Sequence, residues 1–139
     1  MAIATAVASS LACAGDGTGV DGGNGSDAPT FAADVQPIFS ANCAFSGCHA
    51  TSEVKPSGKP MHLSVGQAYA NIVNVEAFER AGMDRVEPGE PDESYLIHKI
   101  QGTQADVGGS GERMPLGGQL TQTEIEIIRD WIAAGAIDN

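Results

Sequence analysis

Seven residues constrain this chain more than any others: Cys43-Ala-Phe-Ser-Gly-Cys48-His49. Two thiols and an imidazole so close in sequence must also lie close in space, and any fold has to accommodate their chemistry. The thiols can add to the two vinyl groups on one edge of a haem while the imidazole reaches the iron, the arrangement that C-x-x-C-H runs serve. They can close a small-loop disulfide in an oxidising compartment. They can join His49 and His62 or His98 in a zinc site, or they can be unrelated. His49 directly follows the second cysteine, which is what haem attachment needs. The spacing between the cysteines departs from that motif. On a regular helix three residues turn the chain by about 300° and bring two side chains within about 60° of each other. Five residues turn it by about 500° and leave them about 140° apart. The extra residues must therefore bulge, and Ser46-Gly47 suits a bulge. The heptad alone leaves these chemistries open.

A haem iron takes a second axial ligand, and the chain offers four methionines. Met114-Pro115 stands in the loop GGSGERMPLGGQL, where glycines hold the chain open and proline fixes its direction. Met61, within Pro-Met-His-Leu, suits core packing. His62 and His98 read as surface or half-buried side chains and stand behind Met114 as candidate ligands. Pro60 is placed to offer its carbonyl to the His49 Nδ1–H, a bond that fixes the tautomer of a ligating histidine. Arg85 and Arg113 can pair with carboxylates such as haem propionates, and surface salt bridges account for them equally well.

The helical pattern is clearest at the end of the chain. Thr121 is an N-cap, Glu124 completes a capping box, and Leu120 with Ile125 forms a hydrophobic staple. Ile125, Ile128 and Ile132 follow at helical spacing beside Trp131, and Gly135 closes the helix. Three further helices are predicted. The first runs from about Ala33 to Asn42, with Pro37 in its opening turns. The second follows a capping box at Ser64-Val-Gly-Gln67. The third begins after Pro91 and carries Tyr95, Leu96 and Ile100. No alternating strand pattern of any length occurs, so the expected class is all-α: about four short helices joined by long Gly/Pro loops.

With 139 residues there is room for one domain. Aromatic residues make up 5% and glycines number 18, so side chains alone build a thin core, to which a haem would add apolar bulk. The net charge of −11 argues against nucleic acid, whose phosphates need clustered cations, and favours basic partners. Residues 1–13, MAIATAVASSLAC, read as a signal-peptide core ending at a lipoprotein cysteine, Cys13. No Lys or Arg precedes that apolar run, which would fit a translation start upstream of Met1. Residues 14–30 form a Gly/Asp-rich tether. No run of about 20 apolar residues exists, so the expected membrane attachment is a lipid anchor alone.

From about Phe31 to Ile137 the chain resembles the cytochrome c fold. It is especially similar to the short c-type domains of planctomycete and myxobacterial exported proteins. The resemblance rests on FAADVQPIFSANC, Cys48-His49, RVEPGEPDESYL, the RMPLGG loop and LTQTEIEIIRDWIAAGA. It implies one covalently bound haem c within residues 31–139, with thioether links at Cys43 and Cys48, proximal ligation by His49 and distal ligation by Met114. It also implies that Val35, Ile38 and Phe39 of the first helix pack across Ile128, Trp131 and Ile132 of the last. The function implied is electron transfer in the bacterial periplasm or cell envelope. The protein would be an electron carrier rather than an enzyme, meeting a redox partner that presents a basic docking patch. The main alternative is a haem-free exported lipoprotein with a structural Cys43–Cys48 disulfide. A haem enzyme or sensor with a labile Met114 ranks last, for want of a distal His or Arg in a recognisable context.

Overall fold

The computed structural model describes residues 28–50 and 61–139; Cys13, most of the tether and Pro60 lie outside them. Helix formation starts at Thr30, whose hydroxyl accepts from the Ala33 N–H while its own N–H donates to Asp34 at 2.7 Å. The turn Phe31–Val35 is a wide π turn, and α1, Gln36–Asn42, continues from it. Widening just before Pro37 eases the clash a proline ring makes with the carbonyl one turn back, and Pro37 falls in the first turn of α1. The helix therefore begins at Phe31, ahead of the expected Ala33.

Helix α2 spans Ala68–Ile72. The predicted capping box at Ser64 does not form. The Ser64 carbonyl accepts from the Gln67 and Ala68 N–H groups, its hydroxyl donates to the Ala50 carbonyl, and Gln67 is the N-cap without a side-chain bond. Residues 64–67 make a turn of their own, so the helix starts later. The chain then makes an excursion over residues 73–86, closed by isolated backbone pairings of Val73 with Val86 and Glu76 with Asp84. A short 3₁₀ turn, Pro91–Glu93, leads into α3, Tyr95–Gln101. Helix α4, Gln122–Ala133, has the predicted reciprocal capping box between Thr121 and Glu124. Leu120 and Ile125 are both buried, and the Gly135 N–H closes on Ile132. The fold is all-α.

One apolar core joins the beginning and end of this unit. Phe31, Val35, Ile38 and Phe39 share it with Ile128, Trp131 and Ile132. The first helical segment meets α4 chiefly through its opening turn, where the Phe31 and Trp131 rings lie 5.1 Å apart. Tyr69 stands edge-on to both rings. The buried indole N–H donates to the Ile137 carbonyl at 2.9 Å and the Tyr69 hydroxyl to that of Ala136, so both aromatics bury their rings without orphaning a polar group. Among the described residues no helix is long and apolar enough to cross a membrane.

Ile128 is fully buried at the centre of this core. Ile128→Ala should cost about 2–5 kcal/mol in urea unfolding, against about 1 kcal/mol for Thr121→Ala at the α4 cap. Equal losses in the two variants would contradict the core described here.

Candidate functional site

Helix α1 stops where the cysteine segment starts. The Cys43 and Ala44 N–H groups both donate to the Phe39 carbonyl at 2.8 Å, and the chain then leaves the helix. Gly47 sits at φ 81° with open space around the position a Cβ would occupy, so the backbone conformation alone asks for glycine there. The Cys48 N–H returns to the Phe45 carbonyl at 2.9 Å, and the His49 N–H closes the loop on the Cys43 carbonyl at 3.1 Å. The bulge expected at Ser46-Gly47 is thus present. It brings the His49 backbone back to Cys43 although no helix spans the two.

Two bonds hold His49 against the following segment. Its carbonyl accepts from the Leu63 N–H at 2.8 Å, and its Nδ1 faces the Met61 carbonyl at 3.2 Å. A carbonyl can only accept, so Nδ1 carries the proton and the lone pair sits on Nε2. The carbonyl was expected from Pro60. Pro60 lies outside the described residues, and among these the Met61 carbonyl is the one that faces Nδ1.

Cys43, His49, Met61 and Met114 all line a single cleft of about 140 Å³ that opens to solvent, smaller than the roughly 300–1,000 Å³ of enclosed ligand pockets. Its floor is apolar, with Phe39, Leu63, Ile72 and Ile100 among the lining residues. Met61 belongs to the wall that carries His49, through its carbonyl. Met114 comes from another wall, its N–H bonded to the Lys99 carbonyl of α3 at 2.9 Å. Cys48 is exposed and does not line the cleft. His62 does not line it either. His98 has Nδ1 against the Thr103 hydroxyl and Nε2 against the Asp92 carbonyl, both at 2.9 Å. Met83 is buried with Ala77 and Tyr95 under the 73–86 excursion.

Two cations line the cleft. Lys99 pairs with Glu79 at 2.7 Å. Arg85 is 8% exposed, donates to the Asn71 carbonyl at 2.6 Å and has no carboxylate partner among the described residues. Burial lowers its guanidinium pKa. An unpaired buried cation is costly, so this wall suits an anionic group. Arg113, the other proposed carboxylate partner, does not line the cleft and donates Nε–H to the Ile100 carbonyl at 3.1 Å.

Glu79, Lys99 and the half-exposed Phe78 at the cleft were not anticipated. Residues 73–86 carry no periodic pattern, so nothing in the sequence folds that stretch back onto α3. The remaining described cations are also bonded to protein oxygens. Arg80 donates to the Val107 and Ala81 carbonyls and Arg129 bonds Asp92, leaving no described Lys or Arg fully exposed.

Cys43 and Cys48 are free thiols, not a disulfide. Among the described residues no group of three or more His, Cys, Asp or Glu side chains is placed to hold a metal ion. No protein-family model matches the chain, and no curated protein or solved structure is significantly similar to it.

The two thiols should differ in reactivity. Burial above all, then the neighbouring Cys48 and Glu124, pushes the Cys43 thiol from 9.0 to about 11. That cuts its thiolate fraction roughly a hundredfold relative to an unperturbed thiol. In folded protein carrying both free thiols, iodoacetamide should modify exposed Cys48 at least about tenfold faster than Cys43, as read by timed peptide mapping. The same shift favours the fold below pH 9.0. It withdraws that support as pH rises toward about 11, since the unfolded chain loses the Cys43 proton first. Equal alkylation rates would mean that Cys43 is not held in the cleft.

Proposed function

We propose that this protein is an electron carrier of the c-type cytochrome kind, with a cytochrome c-like fold and one covalently attached haem c. The observation that carries the proposal is the convergence of His49, Met114 and Cys43 on one apolar cleft that also contains a buried arginine, Arg85, with no carboxylate partner among the described residues. Each residue has a distinct task. Cys43 and Cys48 anchor the group by thioether bonds. His49, with Nδ1–H held by the Met61 carbonyl, presents Nε2 as the proximal ligand. Met114, suspended from α3, presents a thioether from a different wall. Arg85 offsets a propionate charge within the cleft. The apolar floor would shield the group from water, and with His49 and Met114 both holding the iron it would supply outer-sphere electron transfer rather than a substrate site. The group itself supplies an iron that alternates between ferric and ferrous states, at a potential that His/Met ligation raises relative to bis-His ligation.

Met114 is favoured over Met61 as distal ligand because the Met61 backbone is committed to the wall that holds His49. The acidic surface supports a redox partner with a basic docking patch. Export, and a lipid anchor at Cys13 followed by the 14–30 tether, complete the proposal.

In a host with cytochrome c maturation machinery, the intact mass should exceed the mature polypeptide by one haem, and the haem should survive acid-acetone extraction. An apoprotein mass with a Cys43–Cys48 disulfide rejects the proposal in favour of a haem-free lipoprotein. Met114→Ala should abolish the near-infrared charge-transfer band of ferric His/Met haem and lower the midpoint potential, whereas Met61→Ala should keep the band. The reverse pattern would exchange the two assignments. Cys13→Ser should release membrane-associated protein into the soluble fraction; wild-type protein already free in the periplasm would rule the anchor out.

A further inference from the structure

The last turn of α3 cannot satisfy its own carbonyls, as at any helix end, and in this protein the Met114 loop satisfies two of them. The Met114 N–H donates to the Lys99 carbonyl at 2.9 Å and Arg113 Nε–H to the Ile100 carbonyl at 3.1 Å. Gly102, in the left-handed conformation at φ 80°, ends the helix just beyond. The Arg113 side chain lies across it: a Cβ on Gly102 would sit 3.0 Å from Arg113 Cδ and 3.4 Å from Cγ. The stem of Arg113 is therefore packed in a groove that glycine leaves open, and its charge sits at the negative end of the helix. Glycines at 109, 111, 117 and 118 flank the loop on both sides and give it little stiffness of its own.

The geometry points to Arg113 as a positioning residue for iron ligation: with the Met114 N–H it clamps the loop to the end of α3 and so fixes where the Met114 thioether stands. This inference rests on the haem proposal and adds to it. Met114 ligation is then governed by a helix cap outside the cleft, and Arg113, first considered as a propionate partner, acts through Met114 instead. The clamp sets a local equilibrium between a loop closed on the cleft and a loop lifted from it. An added ligand that competes for the distal position reports that equilibrium directly.

The test uses full-length holoprotein and imidazole as the competing ligand. Losing one hydrogen bond of this kind should tighten imidazole binding to the ferric protein by about fivefold in Arg113→Ala. It should also speed exchange of the Met114 amide hydrogen, while Trp131 fluorescence reports unchanged global unfolding. Arg113→Lys keeps a cation and a donor at the helix end and should recover part of the loss. Met114→Ala marks the fully open limit. If wild type has the His/Met band and Arg113→Ala leaves imidazole affinity and Met114 exchange unchanged, the clamp is wrong although the haem assignment stands. If wild-type protein carries no haem or lacks the band, the functional proposal fails and the clamp fails with it.

Discussion

The indole of Trp131 is the contact on which the remaining architecture depends. It is the sole tryptophan in a chain poor in aromatics, and it binds the opening turn of the first helical segment to the last helix. Phe31 and Tyr69 pack on it from two other segments, and its N–H anchors the chain end at Ile137. With so few large side chains, the core is nucleated by one aromatic cluster rather than spread through many layers. The cysteine loop leaves from the far end of α1, so its position is set by how that helix seats against the cluster. The α3 wall is placed by packing of α3 on α4.

The cleft is thus assembled from pieces with little regular structure of their own. α1 delivers Cys43, a loop of hydrogen-bonded turns delivers His49, and a helix end holds Met114. Each is fixed by backbone bonds to a neighbour rather than by belonging to a long element. This division gives the site two walls held in different ways. The His49 wall is bound at both its ring and its carbonyl, whereas the Met114 wall is a glycine-flanked loop held to α3 at Arg113 and Met114 and to Glu79 and Gln104 at Ser110 and Gly111.

Much of this was legible in the sequence because it depends on local chemistry. The α4 capping box, the Pro37 position and the Ser46-Gly47 bulge follow from residue types at fixed spacing. Helical periodicity at 125, 128 and 132 marked one side of the core. What could not be read depended on tertiary contacts. Ser64 had the right neighbours for a capping box, but its hydroxyl turned to Ala50 across the chain. That the Met61 carbonyl faces His49 Nδ1 depends on the register of two segments rather than on their composition. Arg85 and Arg113 were equivalent as sequence, and only packing separates the one in the cleft from the one on the helix end.

The excess of acidic over basic side chains has a consequence for encounters. Arg80, Arg113 and Arg129 are half-buried and bound to carbonyls or to Asp92, and Arg85 and Lys99 are buried, while most of the described Asp and Glu side chains are exposed. A net charge of −11 attracts positively charged molecules over a longer range than any single contact can. Contact at the cleft mouth, around the exposed Phe78, depends instead on shape and apolar character. Attraction and selection are therefore separate steps, the first sensitive to salt and the second to shape.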